Sequence, residues 1–227
     1  MIRVRINPVG GVPFEGNVPG ILGLANARAE AIHHHGAGTT VDVIGGEPEL
    51  DGRRIAVVFG SRAIADTGAA IRWSRQTVAA WMMSGERPDV VIVPDGRGVG
   101  STARRFARAA GIPYDVWRLN GEVMTATGPR RWHDGPVPAD PHWPLRRAAA
   151  MLDPVALARA AGAEVRALAV LAPWDTGGGD RWAIERARGL GLPVTELTCS
   201  PEHGPARAAL SAHTTTTTAT TTEETAP

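Results

Sequence analysis

Two sets of glycines, and the charged residues beside them, are what this chain offers for chemistry. The first lies in VRALAVLAPWDTGGGDRWAIERARGLGLPV (Val165 to Val194). There an apolar run ends in a turn with Gly177, Gly178 and Gly179, and Asp180 opens a segment whose Ala183, Ala187 and Leu190 recur at helical spacing. The second set, Gly96, Gly98 and Gly100, sits in PDGRGVGST after the apolar run VVIV. Each reads as strand, glycine loop, helix. Glycine lets the backbone pass close to a bound group, and the first N–H groups of a helix have no partner inside it, so such a loop suits an anion. A tight connection also needs glycine for its own geometry; the repetition of the pattern favours a site. Two such loops at the carboxyl ends of parallel strands would direct two sets of N–H groups around one crevice, where open α/β sheets bind ligands.

Arg62 and Arg97 are the cations expected near a ligand phosphate, because a guanidinium pairs two oxygens at once. Asp180, Asp175, Asp95 and Glu185 are the carboxylates near these loops that could stabilise positive charge developing in a reaction. Trp174 is either a stacking surface for a base or a core tryptophan. Asp180 poses a conflict. As the first residue of its helix it reads as an N-cap whose carboxylate accepts the N–H groups that a phosphate would use. Beside a phosphate, like charges about 4 Å apart repel by about 4 kcal/mol at an effective dielectric of about 20, more than a helix end returns. Either this turn has lost a phosphate, or Asp180 turns aside to a ribose hydroxyl or a metal ion.

The elements that position these residues follow from periodicity. Ile2 to Ile6 alternates with arginine and predicts a short strand, followed by a Gly/Pro-rich turn region to about Gly20; Ile21 to about His35 predicts a helix closed by Gly36, and Thr39 to Ile44 another strand. The core begins at Arg54. Ile55 to Gly60 and Val90 to Val93 are continuous apolar runs of the kind buried on both faces of a parallel sheet, with helices carrying Ile71, Val78, Trp81 and Met82, then Val99, Ala103, Phe106, Ala107 and Ala110. GIPYDVWRL supplies a third strand, Val165 to Ala172 a fourth and Leu192 to Leu197 the last. Strands alternating with helices of about 12 residues mean βαβ units with right-handed crossovers. The period is lost from Asn120 to Pro144, a Pro-, Gly- and Trp-rich stretch in which Trp132 and Trp143 can fasten the loop to the core, while His133 and Asp134 read as solvated. The expected fold is therefore α/β, a Rossmann-like parallel sheet of about five strands with helices on both faces. Residues 1–50 form an N-terminal extension, 51–198 the Rossmann-like domain, and 199–227 a low-complexity tail ending TTTTTATTTEETAP that is expected to be disordered.

Composition narrows the classes. The 227 residues are 43% apolar, enough for one ordinary domain with a real core, and no apolar run approaches the roughly 18 residues of a membrane span. MIRVRINPVGG is no signal peptide, so a cytoplasmic protein with no membrane partner is expected. A net charge of +1 argues against a broad nucleic-acid footprint, which makes DNA binding unlikely. All 24 non-histidine basic residues are arginine, which removes Walker-type NTPases and Schiff-base enzymes. The lone Cys199 excludes an internal disulfide and reads as an inert thiol near a strand end. His33, His34 and His35 are adjacent, about 100° apart on a helix, which is the wrong spacing for metal ligands on one face. No metal or particular cofactor is specified, and a homo-oligomer remains open.

Four motifs in order carry a resemblance: Gly60-Ser61-Arg62 after the first core strand, Gly96-Arg97-Gly98-Val99 after the second, an Arg-x-x-x-Met element at Arg147 and Met151, and the glycine turn before a helix ending ERARGLGLPV. Over about Arg54 to Leu197 the chain resembles the SLOG superfamily, which joins the DNA-processing protein DprA to the cytokinin-activating LOG phosphoribohydrolases; it looks most like the YspA- and YpsA-like branch. The resemblance implies a pocket for a nucleotide or phosphorylated nucleoside derivative, with the phosphate at the last glycine turn. It implies ligand-binding roles for Gly60, Ser61, Arg62, Gly96, Arg97, Gly98, Arg147, Gly177, Gly178, Gly179 and Asp180. It also brings two further activities into view, release of a base from a nucleoside monophosphate and DprA-like binding of single-stranded DNA. The chain departs from the pattern at Gly100, where that branch usually has an acid, at Ala148 after Arg147, where it often has asparagine, and at Asp180, where the turn normally carries threonine. Ala183 stands where the LOG enzymes have glutamate, and Glu185, two residues on and about 200° round the helix, is badly placed to substitute. These changes count against the hydrolase chemistry and leave the fold untouched.

Overall fold

In the computed structural model residues 2–18, 20–46, 52–125, 128–133 and 136–205 are described. Asp134 and the tail from 206 onward lie outside them. The centre is a seven-stranded sheet whose five parallel strands are those expected from the apolar runs: β4 (Arg54–Gly60), β5 (Val90–Pro94), β6 (Tyr114–Trp117), β9 (Glu164–Leu171) and β10 (Val194–Thr198). Strands buried on both faces cannot afford polar side chains on either, hence the unbroken runs. In β4 the side chains alternate between two cores. Ile55, Val57 and Phe59 pack with α4 (Trp143–Ala160) and α5 (Gly179–Gly189), while Ala56 and Val58 pack with α2 (Gly68–Met83) and α3 (Val99–Ala109). The fold is a Rossmann-like α/β sandwich with helices on both faces.

The sheet has two more strands than the periodicity predicts. β7 (Glu122–Thr125) and β8 (Gly128–Arg131) form an antiparallel hairpin on the β6 edge, giving the order β10-β9-β4-β5-β6-β7-β8. Each is four residues long, too short to display a period, and Pro129 is tolerated because β8 is the outer strand. The stretch read as aperiodic is thus partly sheet. Trp132 and Trp143 stack with centroids 5.0 Å apart, and their Nε1 groups donate to the carbonyls of Arg118 and Leu119. His133, expected to be solvated, is half-buried and meets Trp143 edge-on at 4.8 Å: two neighbouring indoles offer a flat imidazole more contact than water does.

The N-terminal residues build a second, antiparallel sheet of three strands, β1 (Ile2–Asn7), β2 (Phe14–Val18) and β3 (Thr40–Gly46), in the order β2-β1-β3. β2 replaces part of the expected turn region; its largely exposed pattern gave no apolar stripe to read. Helix α1 (Gly20–His35) packs against this sheet and against α4. Val4, Ala31 and Val41 join Leu152 and Val155 in one core, and Arg28 reaches Asp153 on α4 at 3.0 Å. Among the described residues no helix is long and apolar enough to cross a membrane.

From β4 the chain winds outward through β5 and β6, then returns along α4 to β9 on the other side of β4 and on to β10. The winding direction therefore reverses between β4 and β9. That reversal opens a crevice at the carboxyl ends of the strands, and both glycine loops lie there.

Candidate functional site

The end of β4 is shaped by close backbone packing. A Cβ on Gly60 would lie 2.0 Å from the Val170 carbonyl oxygen, at a φ of 147° that only glycine adopts freely. The next residue, Ser61, donates its N–H to that carbonyl at 2.8 Å and is fully buried. Its hydroxyl accepts from Ala63 N at 3.1 Å, capping the 3-10 turn Arg62–Asp66, and donates to Asp175 Oδ2. Ser61 thus supports the site from beneath.

The loop after β5 is held by two further contacts of the same kind. Gly98, at φ 81°, caps α3, and a Cβ there would lie 2.7 Å from the Ser61 carbonyl oxygen; one on Gly100 would lie 2.5 Å from that of Pro94. With no side chain capping α3, its first N–H groups remain open. Asp95, which opens the loop, accepts from Arg147 Nη1, an α4 residue that also donates to the Asp95 carbonyl at 3.2 Å. Burial lowers the pKa of the Arg147 guanidinium and Asp95 opposes that shift. Met151, four residues on and on the same face of α4, lines the cleft with it.

At the turn after β9 the sequence reading needs one correction. The N-cap of α5 is Gly178, in the left-handed region at φ 66°, and Asp180 lies inside the first turn with no capping bond. Two N–H groups of the turn are satisfied within it: Asp175 Oδ1 accepts from Gly177 N at 3.0 Å, and Gly179 N donates to the Gly177 carbonyl at 2.8 Å. Burial raises the Asp175 carboxyl. Hydrogen bonds from Ser61, Gly177 and Ala63, with Arg62 nearby, outweigh that and hold it below its ordinary value. Asp180 moves the other way. Burial and then the Asp175 charge push it up to about 6, against the pull of Arg62 and Arg147. Two carboxyls with pKa values driven apart in one cleft are the arrangement that general acid–base chemistry uses.

These loops bound a cleft of about 100 Å³, lined by Gly60, Arg62, Asp95, Arg97, Gly100, Arg147, Met151, Gly179 and Asp180 among the residues singled out from sequence. It adjoins a broader depression of about 510 Å³ along the α5 turn, where Asp175, Gly177 and Gly178 join Arg62 and Asp180. Ser61 and Gly98 are buried beneath the lining, and Gly96 lies exposed in the loop. Arg62 and Arg97 are exposed cations. Glu185 points to solvent and lines neither space, while Ala183 forms part of the cleft floor. Trp174 donates from Nε1 to the Ala63 carbonyl at 3.2 Å and packs on Gly204, a core fastening rather than a stacking platform. The remaining wall, Leu119, Pro144 and Leu145, carries no chemistry and had no signal beyond the proline at the start of α4.

Other candidates lie elsewhere. The His33–His35 rings are exposed at the end of α1, and among the described residues no group of three or more His, Cys, Asp or Glu is placed to hold a metal. Cys199 is fully buried, and burial pushes its thiol up. A depression around Arg54, Glu86 and Arg166 lies at the amino ends of β4 and β9, away from both loops.

No protein-family model matches the chain, and no curated protein matches it. Among solved structures, a carbohydrate esterase whose active site displays divergent catalytic and non-catalytic binding functions is similar at 8% identity with a TM-score of 0.32, the match covering 98% of this chain and 85% of that one. A likeness at that level bears on neither the fold nor the activity.

Proposed function

We propose that this protein is a SLOG-like binding module that holds a nucleotide or phosphorylated nucleoside derivative in the cleft that α4 and α5 form with the carboxyl ends of β4 and β5. One observation carries the reading: the uncapped start of α3, the glycine turn of α5 and the guanidiniums of Arg62, Arg97 and Arg147 all border one cleft at the point where the winding reverses. Planar cations and free N–H groups suit phosphate; Leu119, Leu145 and Met151 offer an apolar wall to a base or sugar face. The test is a thermal-shift screen against nucleoside mono- and diphosphates, nucleotide sugars and ADP-ribose. A ligand at 100 times its Kd adds about 2.7 kcal/mol of stability, and Arg62→Ala removes the shift. Silence across the screen at millimolar concentration would reject the proposal.

A hydrolytic reading is favoured by the split between Asp175 and Asp180, with an acid near pH 6 beside an ionised carboxylate. It requires free base to be released from a nucleoside monophosphate and Asp180→Asn to abolish that release; binding without release leaves the module non-catalytic.

A further inference from the structure

The two glycine loops that meet in the cleft carry opposite charge. At the α3 loop stand Arg62 and Arg97, neither ion-paired with a carboxylate among the described residues. The loop is packed onto the Ser61–Arg62 backbone, where a Cβ on Gly98 would meet Arg62 Cα at 3.3 Å, and the Arg62 side chain runs beside Gly96, its Cδ 3.9 Å from where a Cβ would sit. The neighbouring acid, Asp95, is already held by Arg147. At the α5 turn the sign reverses. Asp175 and Asp180 both border it, and the N–H groups of Gly177 and Gly179 are spent on Asp175 and on the turn itself. A phosphate placed there would face two carboxylates, with Arg62 and Arg181 the guanidiniums that line the space beside them among the described residues. At the α3 loop the same phosphate faces two guanidiniums and an uncapped helix start.

Resting on the nucleotide reading of this cleft, we infer that the ligand lies with its anionic group at the α3 loop, against Arg62 and Arg97, and its sugar hydroxyls at the α5 turn, where Asp180 accepts from one of them. The guanidinium fork suits phosphate oxygens, and a carboxylate is the natural acceptor for a sugar O–H. The orientation is opposite to the one the family resemblance implies, and it selects the ribose hydroxyl among the three fates open to Asp180. The ligand class that follows is a nucleoside phosphate with free vicinal hydroxyls.

Two measurements decide it. Inorganic phosphate titrated into labelled protein should move the amide signals of Gly98 to Ser101 and leave those of Gly178 to Arg181 in place. By calorimetry, at least one of AMP, GMP, CMP and UMP should bind about tenfold more tightly than its 2′,3′-dideoxy form. Asp180→Thr should bring that ratio to within about twofold of one, and Arg97→Gln should weaken the two forms equally, by about fivefold or more. Phosphate shifts confined to Gly178–Arg181, or tighter nucleotide binding by Asp180→Thr, would put the anion at the α5 turn and overturn the orientation while sparing the nucleotide reading. Phosphate at the α3 loop with no nucleotide bound would reject the nucleotide reading and the sugar half of the inference together. No binding of either probe would reject everything.

Discussion

Replacing Asp180 by asparagine should make the protein more stable at neutral pH and no more stable at pH 4. Burial and the Asp175 charge carry the Asp180 carboxyl from an ordinary 3.8 to about 6. That displacement corresponds to about 3 kcal/mol of preference for the protonated form. The group is half-open to the cleft, and solvent screening reduces the effect to about 1–2 kcal/mol. Because the folded value lies above the unfolded one, the contribution is fully present below about 3.8 and is lost as the pH rises through about 6. Asparagine has no proton to lose. The difference in Tm between variant and parent should therefore be near zero at pH 4, open between pH 4 and 7, and level off at about 3–6 °C for a chain of this size. Asp115, also pushed to about 6 by its burial, titrates in both proteins and cancels. Scanning calorimetry of the pair at half-unit steps from pH 4 to 8 makes the comparison. A difference independent of pH, or a variant less stable at pH 7.5, would mean that Asp180 is ionised in the fold and held by α5 and the arginines, and the argument for its strain would fail.

The glycines make a second test. Gly98→Ala places a Cβ 2.7 Å from the Ser61 carbonyl oxygen at a positive φ and should cost about 3 kcal/mol or more, whereas Gly178→Ala, with φ 66° and no atom within 4 Å, should cost only the backbone strain of about 1–2 kcal/mol; equal losses in urea denaturation would contradict the packing described. At the junction with the N-terminal sheet, Asp153 accepts from Arg28 at 3.0 Å and from Arg186 at 2.7 Å, so Asp153→Ala leaves two half-buried guanidiniums without a partner and should lower stability by about 1–3 kcal/mol. Faster amide exchange along α1 in that variant is the accompanying sign, and unchanged exchange would show that apolar packing alone docks the helix.

How much of this was legible depends on burial. β4, β5 and β9 announce themselves because both faces are covered, so nearly every residue must be apolar and the run needs no period. β2 and β8 do not, since short strands with exposed faces have the composition of loops, and Phe14 itself is 44% exposed; β7 buries Val123 but, at four residues, is too short to show a period. The site shows the same division. Six of the residues given ligand-binding roles by the resemblance line the main cleft, yet Gly98 and Ser61 prove to be supports, because the sequence does not distinguish a glycine that touches a ligand from one that touches a carbonyl. Asp180 was misread for a geometric reason. Aspartate at a helix start is a favoured cap, but the left-handed Gly178 takes the capping position here, while Asp175, five residues earlier, bonds the turn from across Ser61.

What singles out the cleft is the accumulation of unfavourable features in one place. An unpartnered buried polar atom is not diagnostic alone, for Thr39, Ser74 and Trp117 each have one in separate parts of the fold. Several charged and capping groups elsewhere are answered: Thr67 caps α2, Asp89 pairs Arg54, and Asp153 takes two arginines. Around the cleft Asp95 and Asp175 have partners, but other groups do not. Three helices, α3, α4 and α5, start there without a side-chain cap, Arg62 and Arg97 form no ion pair among the described residues, Arg147 keeps a buried Nε without a partner, and the Asp175 charge opposes ionisation of Asp180. The uncapped helix starts, the buried Arg147 Nε and the displaced Asp180 cost folding free energy that a threonine cap or an apolar side chain would recover. A single anionic, hydroxyl-bearing ligand would satisfy several of them at once, which is the physical reason to read this conflict as a site and not as poor packing.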